Sequence, residues 1–243
     1  ELNEAKEKRK TNLYYEEKEY LQYIFLNAIS KHPENFIFKG GTCLRICSGL
    51  ERASEDLDFN TNLKILKIKE IVKQCLKDFD LLNIKNEIFS EKELAGNLRV
   101  EIRFEGPLFA GRKTSTNTIK IDFSNRKANT KEVKVVQKLF SDVPLFTIIV
   151  MEEKEMLAEK IRALLTRKKP RDLYDVWILL NKGAVVDKQL LLGKLKEDKM
   201  DSKKIVFPSK EDYERDLKIL VKAVPDYEQV KNFVNDKIKE LNL

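Results

Sequence analysis

The chain is short of the residues on which much metal and redox chemistry depends. It holds one histidine and three cysteines in 243 residues. A structural zinc site needs four nitrogen or sulfur ligands at close spacing, so zinc is not expected here. His32, beside Pro33, reads as a surface loop residue and not as a general base. Cys43, Cys47 and Cys75 are odd in number and lie in apolar helical settings, which reads as reduced core thiols. Glycine (8) and proline (6) are also scarce, which favours compact, helix-rich structure over disorder. No stretch approaches the roughly 20 apolar residues of a membrane span, and no basic-then-apolar leader precedes the first helix. The expectation is a cytoplasmic protein with no membrane partner.

What the chain has in quantity is charge. Charged residues make up 36%, with 47 basic against 40 acidic side chains and a net charge of +7. The surplus is spread along the chain, not gathered in a tail. Such a balance suits electrostatic steering of RNA and equally suits an ordinary lysine-rich surface. With 42% hydrophobic residues, the chain can bury one large core or two modest ones.

Three acidic residues stand out against this background. In a strand, residues i and i+2 share a face, so Asp56 and Asp58 of Ser54-Glu55-Asp56-Leu57-Asp58-Phe59 project together while Leu57 and Phe59 turn into a core. Ile119-Lys120-Ile121-Asp122-Phe123 repeats the arrangement with Asp122 outward. Carboxylates converging on a sheet surface repel one another unless a cation sits among them. Hard oxygen ligands of this kind suit Mg²⁺ (or Mn²⁺), usually held by a few carboxylates plus substrate phosphates. The chemistry this permits is metal-assisted phosphoryl or nucleotidyl transfer. Just upstream, residues 36–38 read as a buried strand entering a Gly40-Gly41-Thr42 turn, and residues 42–50 as a short helix. Glycine lets the backbone approach a phosphate, and a helix start offers free N–H groups. Either motif alone is usually a solvated strand edge or a tight turn; together they describe a phosphate cradle facing a metal site.

The remaining texture changes once along the chain. Residues 1–30 carry helical periodicity, with a nearly all-charged first ten residues set to fray. Residues 65–79 form an amphipathic helix, and 84–89, 97–104 and 118–123 read as strands. In the second of these, Val100, Ile102 and Phe104 oppose Arg99, Glu101 and Arg103. If it neighbours the Asp122 strand, Arg103 can meet a triphosphate; otherwise this is a charged solvent face. Residues 106–117 read as a mobile hairpin connection. From residue 151 onward the pattern is helical, at 151–167, at 170–181, and in at least two helices between 188 and 243. The division is a nucleotide-handling domain at 1–150 and a helical bundle at 151–243.

Lys160 lies on the apolar stripe of its helix with Leu157, Leu164 and Arg167. A desolvated ammonium is costly unless it meets an anion, and Asp172 and Asp175 share a face of the next helix. The pattern fits a buried structural ion pair or a phosphate-binding lysine steered by those acids; Arg162 is a softer candidate, and Trp177 reads as core.

Lys39-Gly40-Gly41-Thr42 followed by Ser54 to Phe59 resembles the nucleotidyltransferase superfamily that includes DNA polymerase β. With Leu157 to Arg167 and Pro170 to Trp177, the chain resembles the AbiEii/AbiGii nucleotidyltransferase toxins. The resemblance implies an α+β fold: a polymerase-β-like core of mixed sheet and flanking helices, followed by the bundle. It also implies that Asp56 and Asp58 bind metal and nucleotide and that Lys160 and either Asp172 or Asp175 complete the site. Joined with the residues read above, the expected catalytic set is Asp56, Asp58, Asp122 and Lys160, and the metal ligands are Asp56, Asp58 and Asp122. The expected nucleotide-binding set is Lys39, Gly40, Gly41, Thr42, Ser54, Arg103, Arg162, Asp172 and Asp175. NTP is then the substrate, RNA (a tRNA end) the acceptor, and a cognate antitoxin the partner. Modification of a small molecule such as an antibiotic, or nucleotide binding without turnover, are the alternatives.

Overall fold

The computed structural model describes residues 1–9, 12–197 and 206–241. It resolves the chain into two compact units, Glu1–Cys47 with Ser54–Met151, and Ser48–Ala53 with Glu152–Leu243.

The first unit is built on a seven-stranded mixed sheet. Its strands are β1 (Ile37–Lys39), β2 (Asp56–Asn60), β3 (Lys85–Leu94), β4 (Asn97–Glu105), β5 (Asn117–Ser124), β6 (Glu132–Val136) and β7 (Phe146–Val150). They run in the order β3-β4-β5-β2-β1-β7-β6. The pairs β2–β5 and β1–β7 are parallel and the other neighbours antiparallel. Strict alternation sets the faces: Leu98, Val100, Ile102 and Phe104 of β4 are buried, as are Ile119, Ile121 and Phe123 of β5. Phe59 stacks on Phe123 with ring centres 5.6 Å apart, and Phe36 and Phe38 pack against Phe59. Four helices complete the unit: α1 (Leu2–Arg9), α2 (Leu13–Ile29), α3 (Gly40–Ser48) and α4 (Ile65–Leu81). α4 turns Ile68, Val72, Cys75 and Phe79 inward, and Phe79 meets Phe104 at 4.5 Å.

The single helix expected over 1–30 is two helices. Residues 10 and 11 lie outside the described ones, and the Asn12 side chain caps α2 by accepting from the Tyr15 N–H. Residues 2–9, expected to fray, are helical. The two glycines are not a free turn but the first turn of α3, and β6 and β7 extend the sheet between the Asp122 strand and residue 151. Cys43 and Cys75 are buried as expected, whereas Cys47 is only half-buried.

The second unit contains α5 (Glu153–Thr166), α6 (Pro170–Asn181), α7 (Lys188–Glu197), α8 (Lys210–Lys218) and α9 (Tyr227–Lys239). Pro170 opens α6, where its missing N–H costs nothing. Leu173, Val176 and Leu179 of α6 are buried with Leu157, Ile161, Leu164, Tyr213 and Val234, while Trp177 is half-buried and not core. Residues 48–53 are stitched into this unit: the Ala53 N–H donates to the Leu220 carbonyl, and the Lys182 ammonium donates to the carbonyls of Ser48 and Gly49. Residues 198–205 and 242–243, within the stretch expected to be helical, lie outside the described residues. Among the described residues no helix is long and apolar enough to cross a membrane.

Candidate active site

The register of four neighbouring strands assembles the acids. Asp58 of β2 lies opposite Asp122 of β5, Asp122 lies opposite Arg99 of β4, and Asp58 lies opposite Lys39 of β1. Directly paired residues share a face, so one rung across the sheet reads Arg99, Asp122, Asp58, Lys39, with its two cations outside and its two carboxylates inside. Asp56 stands two residues along β2 on the same side, opposite Lys120. All three carboxylates are partly exposed, above the buried Leu57, Phe59, Ile121 and Phe123.

Arg99 grips Asp122 with both arms: Nε is 2.7 Å from Oδ1 and Nη2 is 2.9 Å from Oδ2. This bidentate bond and the charge of Asp122, followed by the charges of Asp56 and Asp58, raise the Arg99 pKa above its ordinary value despite some burial. Arg103 lies opposite Thr118, four residue pairs along from the rung that holds Asp58. It pairs with Glu87 at 2.8 Å, and its guanidinium covers the Phe89 ring at 3.8 Å.

The glycine turn sits against these acids. Gly40 has φ +81°, and a Cβ built there would lie 2.2 Å from Asp58 Oδ2. Glycine is required both for the dihedral and for the approach of the carboxylate. The buried Thr42 hydroxyl donates to the Asp56 carbonyl at 2.5 Å and lies 2.8 Å from the Ser54 hydroxyl. Thr42 and Ser54 thus tie the start of α3 to the entry of β2, leaving backbone N–H groups as what α3 offers an anion.

Sequence reasoning missed the supports supplied by α2. Gln22 donates to the Ser54 and Glu55 carbonyls, and Lys18 donates to the Thr118 carbonyl at 2.8 Å while pairing with Glu55. Glu17 accepts from the Leu108 N–H and the Asn117 amide, which tethers both ends of the 106–117 connection. These side chains are nearly fully buried and fix the approach to both acid-bearing strands. Of the two arginines on the polar face of β4, it is Arg99 that meets Asp122, while Arg103 pairs with Glu87.

The second unit gathers the other predicted residues. Lys160 Nζ lies 2.8 Å from Asp175 and 3.4 Å from Asp172, both carboxylates being fully buried. Each acid also has its own arginine. Arg167 holds Asp172 through two bonds at 2.8 and 3.1 Å, and Arg52 holds Asp175 at 2.6 and 2.8 Å. Burial pushes the Asp175 carboxyl up, but Arg52 and Lys160 outweigh it and bring the pKa to about 2. Three cations therefore serve two carboxylates, and Lys160, 12% exposed, is the one shared between them. Arg52 had no signal in the sequence. Arg162 lies half-buried on α5.

The donor chemistry suits a hard divalent cation only in part. Asp56 and Asp58 offer two same-face carboxylates, the share a protein commonly gives Mg²⁺ when phosphates supply the rest. Among the described residues no group of three Asp, Glu, His or Cys side chains is arranged to hold a metal ion. Arg99 occupying both oxygens of Asp122 is in keeping with that.

The site is thus a mixed-sheet surface with paired carboxylates beside a Gly-Gly helix start and a third acid in register on the next strand. Solved structures share this fold. MenT4, a nucleotidyltransferase toxin from Mycobacterium tuberculosis H37Rv, matches with a TM-score of 0.70 and 19% identity over 95% of this chain and 84% of its own. JHP933 from Helicobacter pylori matches at TM-score 0.63 and 22% identity, over 95% and 93%. A search of the curated proteins finds no match. The family model of the nucleotidyl transferase AbiEii toxins of type IV toxin–antitoxin systems matches residues 24–241. The chain belongs to that family and is a nucleotidyltransferase toxin.

Proposed function

We propose that the protein transfers a nucleoside monophosphate from an NTP to an RNA acceptor, a tRNA end, with release of pyrophosphate. Mg²⁺ is the proposed metal, a cognate antitoxin the proposed partner and the cytosol the proposed setting. The observation that carries the reading is Asp58 facing Asp122 across β2 and β5, with Asp56 on the same side and Gly40 against Asp58. Asp56 and Asp58 are the residues that would hold the divalent ion, which when bound supplies Lewis-acid stabilisation of phosphoryl charge. Asp122 would join them as the third carboxylate at the ion and would help take the proton of the attacking hydroxyl. The first N–H groups of α3 bind phosphate oxygens, and Lys160 adds positive charge to the leaving pyrophosphate. Two features support that role for Lys160: its position in the family motif, and the fact that Asp172 and Asp175 each have an arginine of their own. The modest basic surplus of the chain agrees with a nucleic-acid acceptor.

The test is incorporation of labelled NTPs into an RNA pool by the wild type and by Asp58→Ala. Labelled RNA is expected from the wild type alone. Equal labelling by both proteins would overturn the site, and label found only on small molecules would overturn the RNA acceptor.

A further inference from the structure

Arg99 takes no part in the reading above, yet it touches one of the three acids directly. Both Asp122 oxygens are engaged by its fork at 2.7 and 2.9 Å, so the guanidinium neutralises Asp122 and competes with a divalent ion for its oxygens while it stays. The arginine is also free to move outward, its side chain being 56% exposed against 28% for Asp122. It stands at the end of the rung that carries Asp58, opposite the end held by Lys39. A guanidinium fork matches phosphate oxygens as well as it matches a carboxylate.

We propose that Arg99 is a positioning residue that exchanges Asp122 for the triphosphate. In its inner position it neutralises Asp122 and holds that carboxylate off the metal; in its outer position it binds phosphate oxygens and frees Asp122 to complete the site. Binding of nucleotide and of divalent ion is thereby coupled through one side chain: each favours the position of Arg99 that the other needs. Such coupling is reciprocal by thermodynamic necessity. It makes the protein a poor divalent-ion binder alone and a good one with NTP. The proposal rests on the carboxylate-site reading given under Proposed function.

The experiment measures Mn²⁺ affinity of the full chain by calorimetry, with and without a non-hydrolysable NTP analogue. The proteins are the wild type, Arg99→Gln, Arg99→Lys and Asp58→Ala, with folding checked by circular dichroism. Without nucleotide, Arg99→Gln is expected to bind Mn²⁺ about fivefold or more tighter than wild type. Arg99→Lys, which keeps the charge but not the fork, should fall between them and serves alone if the glutamine variant does not fold. The analogue should tighten Mn²⁺ binding strongly in the wild type and far less in Arg99→Gln. Unchanged or weaker Mn²⁺ binding in the Arg99 variants, with binding lost in Asp58→Ala, would overturn the role of Arg99 alone. Full binding by Asp58→Ala would overturn the carboxylate site, and the proposal with it.

Discussion

Lys160 is the residue where a structural and a catalytic role can be separated by measurement. Its removal leaves neither Asp172 nor Asp175 without a partner, because Arg167 and Arg52 remain. Lys160→Met is therefore expected to cost about 1.5–3 kcal/mol, the scale of one charge-assisted bond, while nucleotide transfer falls about 100-fold. Arg52→Met strips the fully buried Asp175 of its bidentate partner and is expected to cost about 3–5 kcal/mol. Urea unfolding of the two variants checks the order, and a Lys160 variant that is the less stable of the two would contradict it. The acid limb gives an independent measurement. The Asp175 carboxyl is held at about 2, against an ordinary 3.8. A depressed carboxylate stabilises the fold above its ordinary pKa and loses that contribution as pH falls towards 2. Between pH 5 and pH 2 the wild type should lose about 2 kcal/mol more than Asp175→Asn in the same denaturation series.

At the scale of elements, the strands and helices were largely legible and their mutual register was not. Alternation in β4 and β5 and the spacing of apolar residues in α4 and α6 follow from periods of 2 and 3.6, so these elements and their inward faces could be read directly. Arg99, Glu101 and Arg103 share one face of β4 and are indistinguishable by period. Which of them meets Asp122 depends on how far the β4–β5 pair is slid, and the irregular 106–116 connection leaves no sequence signal for that. The polar side of α2 was equally hidden. Nothing in the sequence marks Gln22 or Lys18, because their partners are backbone carbonyls at Ser54, Glu55 and Thr118, and backbone groups carry no sequence mark. The start of α3 offers a test at this scale. Gly40 and Gly183 both adopt positive φ, but only Gly40 has a neighbour where a side chain would go. Gly183→Ala should show the dihedral strain alone, about 1–2 kcal/mol. Gly40→Ala should show more and should also lose most transfer activity, because the new methyl displaces Asp58. Thermal melts and labelled-NTP assays on both variants decide it, and matching behaviour would mean that Asp58 yields without consequence.

For the whole molecule, family membership spans residues 24–241, so the helical unit belongs to the enzyme as much as the sheet does. The segment Ser48–Ala53 leaves the sheet-bearing unit after Cys47 and the chain returns to it at Ser54. Expressed as separate pieces, 1–151 and 152–243 are each expected to be incomplete. The first would carry Arg52 without Asp175, and the second would bury Asp175 with Lys160 alone in place of its arginine. Mixing the purified pieces should restore little transfer activity, and full recovery from independently stable halves would contradict this account.

The six residues at 48–53 also bear on how such a protein can be inherited. A domain joined by a single linker can be copied, lost or exchanged as a cassette. Here the covalent path passes between the units at 47/48, at 53/54 and at 151/152. No single cut separates them, and a recombination event that swapped the helices alone would have to import a matching Arg52 segment from a site about a hundred positions upstream. A single crossover therefore cannot exchange the helical unit whole, and a change at Asp175 would remove the carboxylate that Arg52 holds.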